Sequence, residues 1–454
     1  MNDDREERED PELVVVLPAG RFRVLRDGRL IRALGLRYGL ARRFSTCTPV
    51  PAADDVLDAT ERGAACPQPA SRLDFAVGAL IAGLRQDEEC LTLAVVAPLP
   101  DGKPRPVMVF FHGGAYVTGS GQAPVYDLSA LAEEGDVVTV TVNYRLGIFG
   151  YLAIDGVSPA NLGLLDQIAA LRWVRENIAG FGGDPLDVTV FGQSAGADSI
   201  SYLMVTDGAG DLFHRAILQS APLGIQRDRA DMSHAMGLAA RGALGANPES
   251  ASTAELLAAQ SIAAAAAVGF GNRAQMPFGP QTGHYPLPAD HEVDARRRAA
   301  AARIPVMIGT TADDALPFLL LNPRLAPTFD TAVVGPPALR LLTAAATGRL
   351  FRRPATTFAR QHRRAGGHAV TYAFDWRPTD GRFGACHCIE LPFLTGSFAA
   401  WARSPMLGAN PQPALTELGP PMRQLWYEFA RGMFDQADTH VRLPGALARS
   451  EPHP

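Results

Sequence analysis

The chain has 454 residues, 47% hydrophobic and 20% charged, which excludes a disordered or fibrous polymer and leaves a globular protein with a large core. A net charge of −5 over this length builds no basic surface for nucleic acid or an anionic membrane. Five cysteines, an odd and sparse number, force no disulfide framework.

The first ten residues, Met1 to Asp10, are rich in charge and lack the basic start and apolar stretch of a secretory leader. Residues 1–11 therefore read as a solvated acidic tail, and the expected compartment is the cytoplasm. Short β-like pieces follow at Leu13–Leu17, Arg21–Leu25 and Leu34–Tyr38, predicting antiparallel N-terminal strands. Thr92–Ala97 reads as a further strand. Pro106–Phe111 and Val137–Val142 are continuous apolar runs of the kind buried on both faces of a sheet. The first ends in His112-Gly-Gly-Ala-Tyr116.

Leu162–Ile178 carries Leu164, Leu165, Ile168, Leu171, Val174 and Ile178 at helical spacing, with Asn161 as the expected N-cap. Val188–Phe191 is a short buried strand. Later strands are expected at His214–Leu218, Ile304–Ile308 and Ala369–Phe374. Strands alternating with helices predict an α/β fold with a mostly parallel central sheet covered by helices on both faces. No apolar run approaches the roughly 20 residues of a membrane-spanning helix.

Between the strand ending at Phe191 and the helix expected after Ser194 stands Gly192-Gln-Ser-Ala-Gly196. This Gly-x-Ser-x-Gly spacing is that of a nucleophile elbow. A sharp turn crowds strand against helix two residues either side of the serine, where only glycine fits. It raises the Ser194 hydroxyl to a helix N-terminus, whose free N–H groups favour negative charge.

The flanks are more specific. Asn161-Leu-Gly-Leu-Leu-Asp-Gln167, Phe181-Gly-Gly-Asp-Pro185, Val142-Asn-Tyr-Arg-Leu-Gly147, Phe213-His-Arg-Ala-Ile-Leu-Gln-Ser220 and Gly384-Ala-Cys-His-Cys-Ile-Glu-Leu-Pro-Phe393 resemble the type-B carboxylesterase/lipase family. The family comprises α/β-hydrolases related to cholinesterases. The resemblance implies one α/β-hydrolase domain over residues 12–454, with a reduced helical cap near 225–300 and 315–365. It implies a serine carboxylesterase acting on a small-molecule ester through an acyl-enzyme, with no cofactor and no metal.

On this resemblance Ser194 is the nucleophile and His387 the base. The acid falls at Asp314, where the family usually has glutamate, with Asp313 as the alternative. The backbone N–H groups of Gly114, Ala115 and Ala195 are the expected oxyanion donors. Ser220 matches a serine near the catalytic histidine. Gln193 stands where many relatives have glutamate, which removes a negative charge and disfavours cationic substrates. Phe318, Phe393 and Phe398 are candidates for an acyl pocket, and equally for core.

The resemblance pairs Arg145 with Asp166 and Arg43 with Glu88, and matches Cys66 and Cys90 to a disulfide-closed loop whose thiols should lie close even when reduced. Cys386-His-Cys388 offers metal-ligand types, but adjacent side chains point apart and no second cluster is near in sequence. Non-catalytic binding modules of the family usually lack the serine or the histidine; this chain has both. Carbamates, amides and lipids are the alternative substrates.

Overall fold

Strand β6 (Arg105–Phe111) lies near the middle of a sheet with twelve strands among the described residues, and alternate side chains leave it on opposite faces. Val107, Val109 and Phe111 enter one apolar cluster, while Met108 and Phe110 enter the other. Each such fully buried side chain stabilises the fold by about 1.5–3 kcal/mol, which is why the run is apolar at every step. The computed structural model describes residues 13–322, 325, 335–434 and 440–443. The expected tail over residues 1–11 lies outside them.

The N-terminal part of the sheet is largely antiparallel. β1 (Leu13–Leu17), β2 (Gly20–Asp27), β3 (Leu30–Arg37), β5 (Thr92–Pro98) and β7 (Val138–Val142) pair in that order. β4 (Ala53–Asp58) adds in parallel to β2. From β7 onward all pairs are parallel, through β6, β8 (Gly183–Gln193), β9 (Arg215–Gln219), β10 (Val306–Thr311), β11 (Ala369–Phe374) and β12 (His440–Arg442). The mostly parallel α/β-hydrolase sheet expected from the sequence is present. β4 and β12 are additions to it.

The helix Leu162–Asn177 forms where its periodicity places it. Asn161 does not cap it. Its φ is 64°, and its side chain instead accepts from Gln281 N at 2.7 Å and donates to the carbonyls of Gln281 and His284. Those backbone groups compete successfully for the amide and tie the 281–284 loop to the helix start. Arg145 and Asp166 form a buried double contact, both bonds 2.7 Å, and Arg43 grips Glu88 in a partly exposed one.

Helices Ala230–Leu244, Thr253–Ala266, Val293–Ala301, Gly335–Thr347 and Arg353–Arg364 lie in or beside the stretches where the resemblance implies a cap. Thr253–Ala266 starts from a reciprocal cap, with Ser252 Oγ accepting Glu255 N and Glu255 accepting Ser252 N. Residues 323–324 and 326–334, within the expected cap stretch, lie outside the described set. Among the described residues no single helix is long and apolar enough to cross a membrane.

Candidate active site

The parallel strands end level with one another. Phe111 pairs with Gly192, Gln193 with Gln219, and Gln219 with Gly309. The loops after β6, β8, β9 and β10 therefore meet at the carboxyl edge of the sheet, the usual place for a site in such folds.

Ser194 stands between β8 and the helix Ala195–Leu203 with φ 56° and ψ −122°, a conformation costly for any residue with a Cβ. Its N–H is held by Gln219 O at 2.8 Å. A Cβ on Gly196 would sit 2.0 Å from Phe111 O, and one on Gly192 would sit 2.7 Å from Gly196 C. The two glycines are thus demanded by the close approach of strand ends and helix.

Asp314 follows β10 and is fully buried. One carboxylate oxygen, Oδ1, lies 2.8 Å from His387 Nδ1. The other, Oδ2, accepts from Ser220 Oγ at 3.0 Å and Thr311 N at 3.0 Å. Ser220, which the resemblance places near the histidine, therefore bonds the carboxylate and not the imidazole itself. Asp313 serves the loop instead. Its Oδ2 accepts Ala385 N at 3.0 Å and faces Arg377 at 3.4 Å, which fixes the segment carrying His387.

The far side of the imidazole is occupied by Gln193, a contact the sequence did not suggest. Gln193 Nε2 lies 3.2 Å from His387 Nε2, and Gln193 Oε1 accepts from Cys388 Sγ at 3.3 Å. The thiol fixes which end of the amide meets the ring, so an N–H of Gln193 points at the lone pair of Nε2. Ser194 lines the same cavity as His387, but among the described residues no hydrogen bond joins its Oγ to the ring.

Glu390, three residues after His387, is a second finding. It is fully buried, and neither carboxyl oxygen has a hydrogen-bond partner among the described residues. Burial, and then the charge of Asp314, push its carboxyl up to about 8. Its only sequence signal was its place in the block around His387.

The turn after β6 supplies donors. Gly114, Ala115 and Tyr116 all have positive φ. A Cβ on Gly114 would meet Thr118 O at 2.0 Å, and one on Gly113 would come within 3.2 Å of Ser194 Cβ. The turn is therefore folded tightly beside the serine. Among the described residues the N–H groups of Gly114, Ala115 and Ala195 donate to no protein acceptor. His112, stacked on Tyr144 at 4.5 Å, is lowered to about 4 by burial and stays neutral.

These groups open into a cavity of about 590 Å³, walled by apolar side chains that include Leu80, Leu84, Met276, Leu350 and Phe351. Phe318 lines it, 5.2 Å from the imidazole. Phe393 does not; it packs in the core against Phe374 and Trp376. Phe398 is also absent from the wall. Cys386 is core and Cys388 is bound to Gln193. Cys66 and Cys90 are buried free thiols, and the neighbouring Cys66 together with burial raises the Cys90 thiol.

The carboxylesterase family model matches residues 29–331. A probable N-octanoylanthranilate hydrolase of Rhodococcus erythropolis is 37% identical over 420 residues, covering 91% of this chain and 92% of that protein. The para-nitrobenzyl esterase of Bacillus subtilis is also 37% identical over 420 residues, covering 86% of this chain and 83% of its own. Among solved structures, a thermophilic PNB esterase superposes with a TM-score of 0.78 at 33% identity, over 92% of this chain and 91% of that one.

Proposed function

The chain belongs to the carboxylesterase family and is a carboxylic ester hydrolase, and on that premise we propose that it works through an acyl-enzyme on Ser194. His387 is the base and Asp314 holds it. The observation that carries this reading is the 2.8 Å contact from Asp314 to Nδ1, which leaves Nε2 as the basic nitrogen in the cavity that Ser194 lines.

An ester entering the cavity sets its carbonyl oxygen toward the free N–H groups of Gly114, Ala115 and Ala195. Gln193 gives up its contact with Nε2, and the Ser194 hydroxyl takes its place. Ser194 Oγ bonds to the carbonyl carbon as its proton passes to Nε2. The oxyanion rests on the three amides, each such donor being worth about 3 kcal/mol in the transition state. The carbon–oxygen bond to the leaving group breaks, and the alkoxide takes the proton from the imidazolium. Water then attacks the acyl group, giving its proton to Nε2, and Ser194 leaves with that proton restored.

The test is Ser194→Ala with p-nitrophenyl butyrate, alongside labelling of the native enzyme by a fluorophosphonate. Turnover and labelling should both vanish in the variant. A variant that keeps native turnover removes the mechanism. A native protein that neither labels nor turns over an ester points to a non-catalytic binding module.

A second reading keeps the site and changes the bond. One relative aligning over 420 residues is named for N-octanoylanthranilate, which favours N-acyl compounds. Comparing octanoyl p-nitroanilide with p-nitrophenyl octanoate decides between amide and ester preference.

A further inference from the structure

Much of the wall of the ester cavity is apolar, and among the described residues Arg72, on the 69–84 loop, is the one arginine or lysine in it. Its guanidinium carbon lies 5.7 Å from the centroid of the Phe318 ring, and Phe318 in turn lies 5.2 Å from His387. The cation is thus one aromatic ring away from the imidazole. Of its five N–H donors, one goes to Gln275 O on the cap. Among the described residues no carboxylate pairs with it. Arg72 is exposed, yet it lines the cavity; the atoms crowded around it lower its pKa from the usual guanidinium value while leaving it charged at neutral pH.

The other acidic or basic groups facing the cavity are Asp74 and His387. Asp74 makes no ion pair with Arg72, and burial pushes its carboxyl up. Gln193 puts an uncharged amide beside the serine. A guanidinium with spare donors, set in a largely apolar wall, is matched by a carboxylate, which takes two parallel N–H bonds from it.

We propose that Arg72 reads a carboxylate on the substrate, so that the enzyme prefers esters with a carboxylate a few bonds from the scissile carbonyl over their neutral isosteres. This rests on the reading of Ser194 as the ester-cleaving nucleophile. The carboxylate can belong to the acyl part or to the leaving alcohol, and the two are separable.

The experiment compares kcat/KM for two matched pairs. p-Nitrophenyl hemiglutarate against p-nitrophenyl valerate places the charge on the acyl part. 4-(Butyryloxy)benzoate against its methyl ester places it on the leaving group. The readout is the charged-to-neutral ratio within each enzyme, so a general effect of substitution cancels. In Arg72→Gln the ratio should fall about tenfold for one of the pairs, recover in part in Arg72→Lys, and in the native enzyme shrink at high salt. A ratio unchanged in Arg72→Gln for both pairs overturns the proposal and leaves Arg72 as a tether between loop and cap.

Calorimetric binding of 4-phenylbutyrate against 4-phenylbutyramide makes the same comparison without turnover. The carboxylate should bind more tightly to native protein and lose that advantage in Arg72→Gln; equal binding of both to native protein counts against the proposal. Failure of the ester reading has another signature, the absence of Ser194-dependent turnover of either neutral ester.

Discussion

Replacing Asp314 with asparagine turns one carboxylate oxygen into an amide nitrogen, and the neighbours decide which. Two donors, Ser220 Oγ and Thr311 N, point at the Oδ2 position from 3.0 Å. That position must keep an oxygen, so the new NH₂ is driven to the Oδ1 side, 2.8 Å from His387 Nδ1. Nδ1 must then accept, and the ring proton moves to Nε2. An imidazole protonated at Nε2 cannot take the proton of Ser194. It also sets an N–H against the Gln193 amide N–H now 3.2 Å away. The expected loss is about 10⁴-fold in kcat, or about 5 kcal/mol of transition-state stabilisation, with little change in KM. The assay is initial rates on p-nitrophenyl butyrate, with circular dichroism to check that the variant folds. Asp313→Asn, which loosens only the loop, should cost far less. A folded Asp314→Asn enzyme within about tenfold of native kcat would refute the tautomer argument.

Other substitutions probe the surroundings. Gln193→Glu sets a carboxylate against Nε2, favours the imidazolium, and should move the acid limb of the kcat/KM profile up by about one pH unit; an unmoved limb would mean that Gln193 does not face the working ring. Glu390, held up at about 8, keeps a proton in the folded state that the unfolded chain releases from 4.5 upward, so its contribution lowers stability as pH rises from 4.5 to about 8 and stays constant above. Glu390→Gln should therefore flatten the fall in urea midpoint between pH 5 and pH 8, and an unchanged slope would contradict this. Arg145→Met strands the buried Asp166 carboxylate and should cost about 3–5 kcal/mol in urea denaturation, with Arg145→Met/Asp166→Leu recovering much of it; no recovery would mean that packing and not charge dominates.

What could be read from the sequence was local. The elbow around Ser194 shows in five consecutive residues, because strand β6 and the helix that follows the serine approach so closely there that only Gly192 and Gly196 are acceptable. The strands Arg105–Phe111 and Val138–Val142 announce themselves because both of their faces are covered. What escaped depends on partners distant in sequence. β4 is polar and mostly exposed, so it carries no apolar pattern; it exists because β2 offers an edge. Asn161 has the composition of a cap but finds better acceptors 120 residues later. Gln193 looked like a missing charge, whereas its amide is a hydrogen-bond partner of the imidazole 194 residues away. Ser220 was placed near the histidine, and only the geometry after β9 turns it toward the carboxylate.

The account stands on a covalent intermediate at one hydroxyl. Rapid acid quench of the enzyme during turnover of p-nitrophenyl butyrate, followed by peptide mass measurement, reads it directly. The expected result is a single butyryl group on the peptide containing Ser194, absent when Ser194 is alanine. Butyryl on another residue, or steady turnover in the alanine variant, would contradict it.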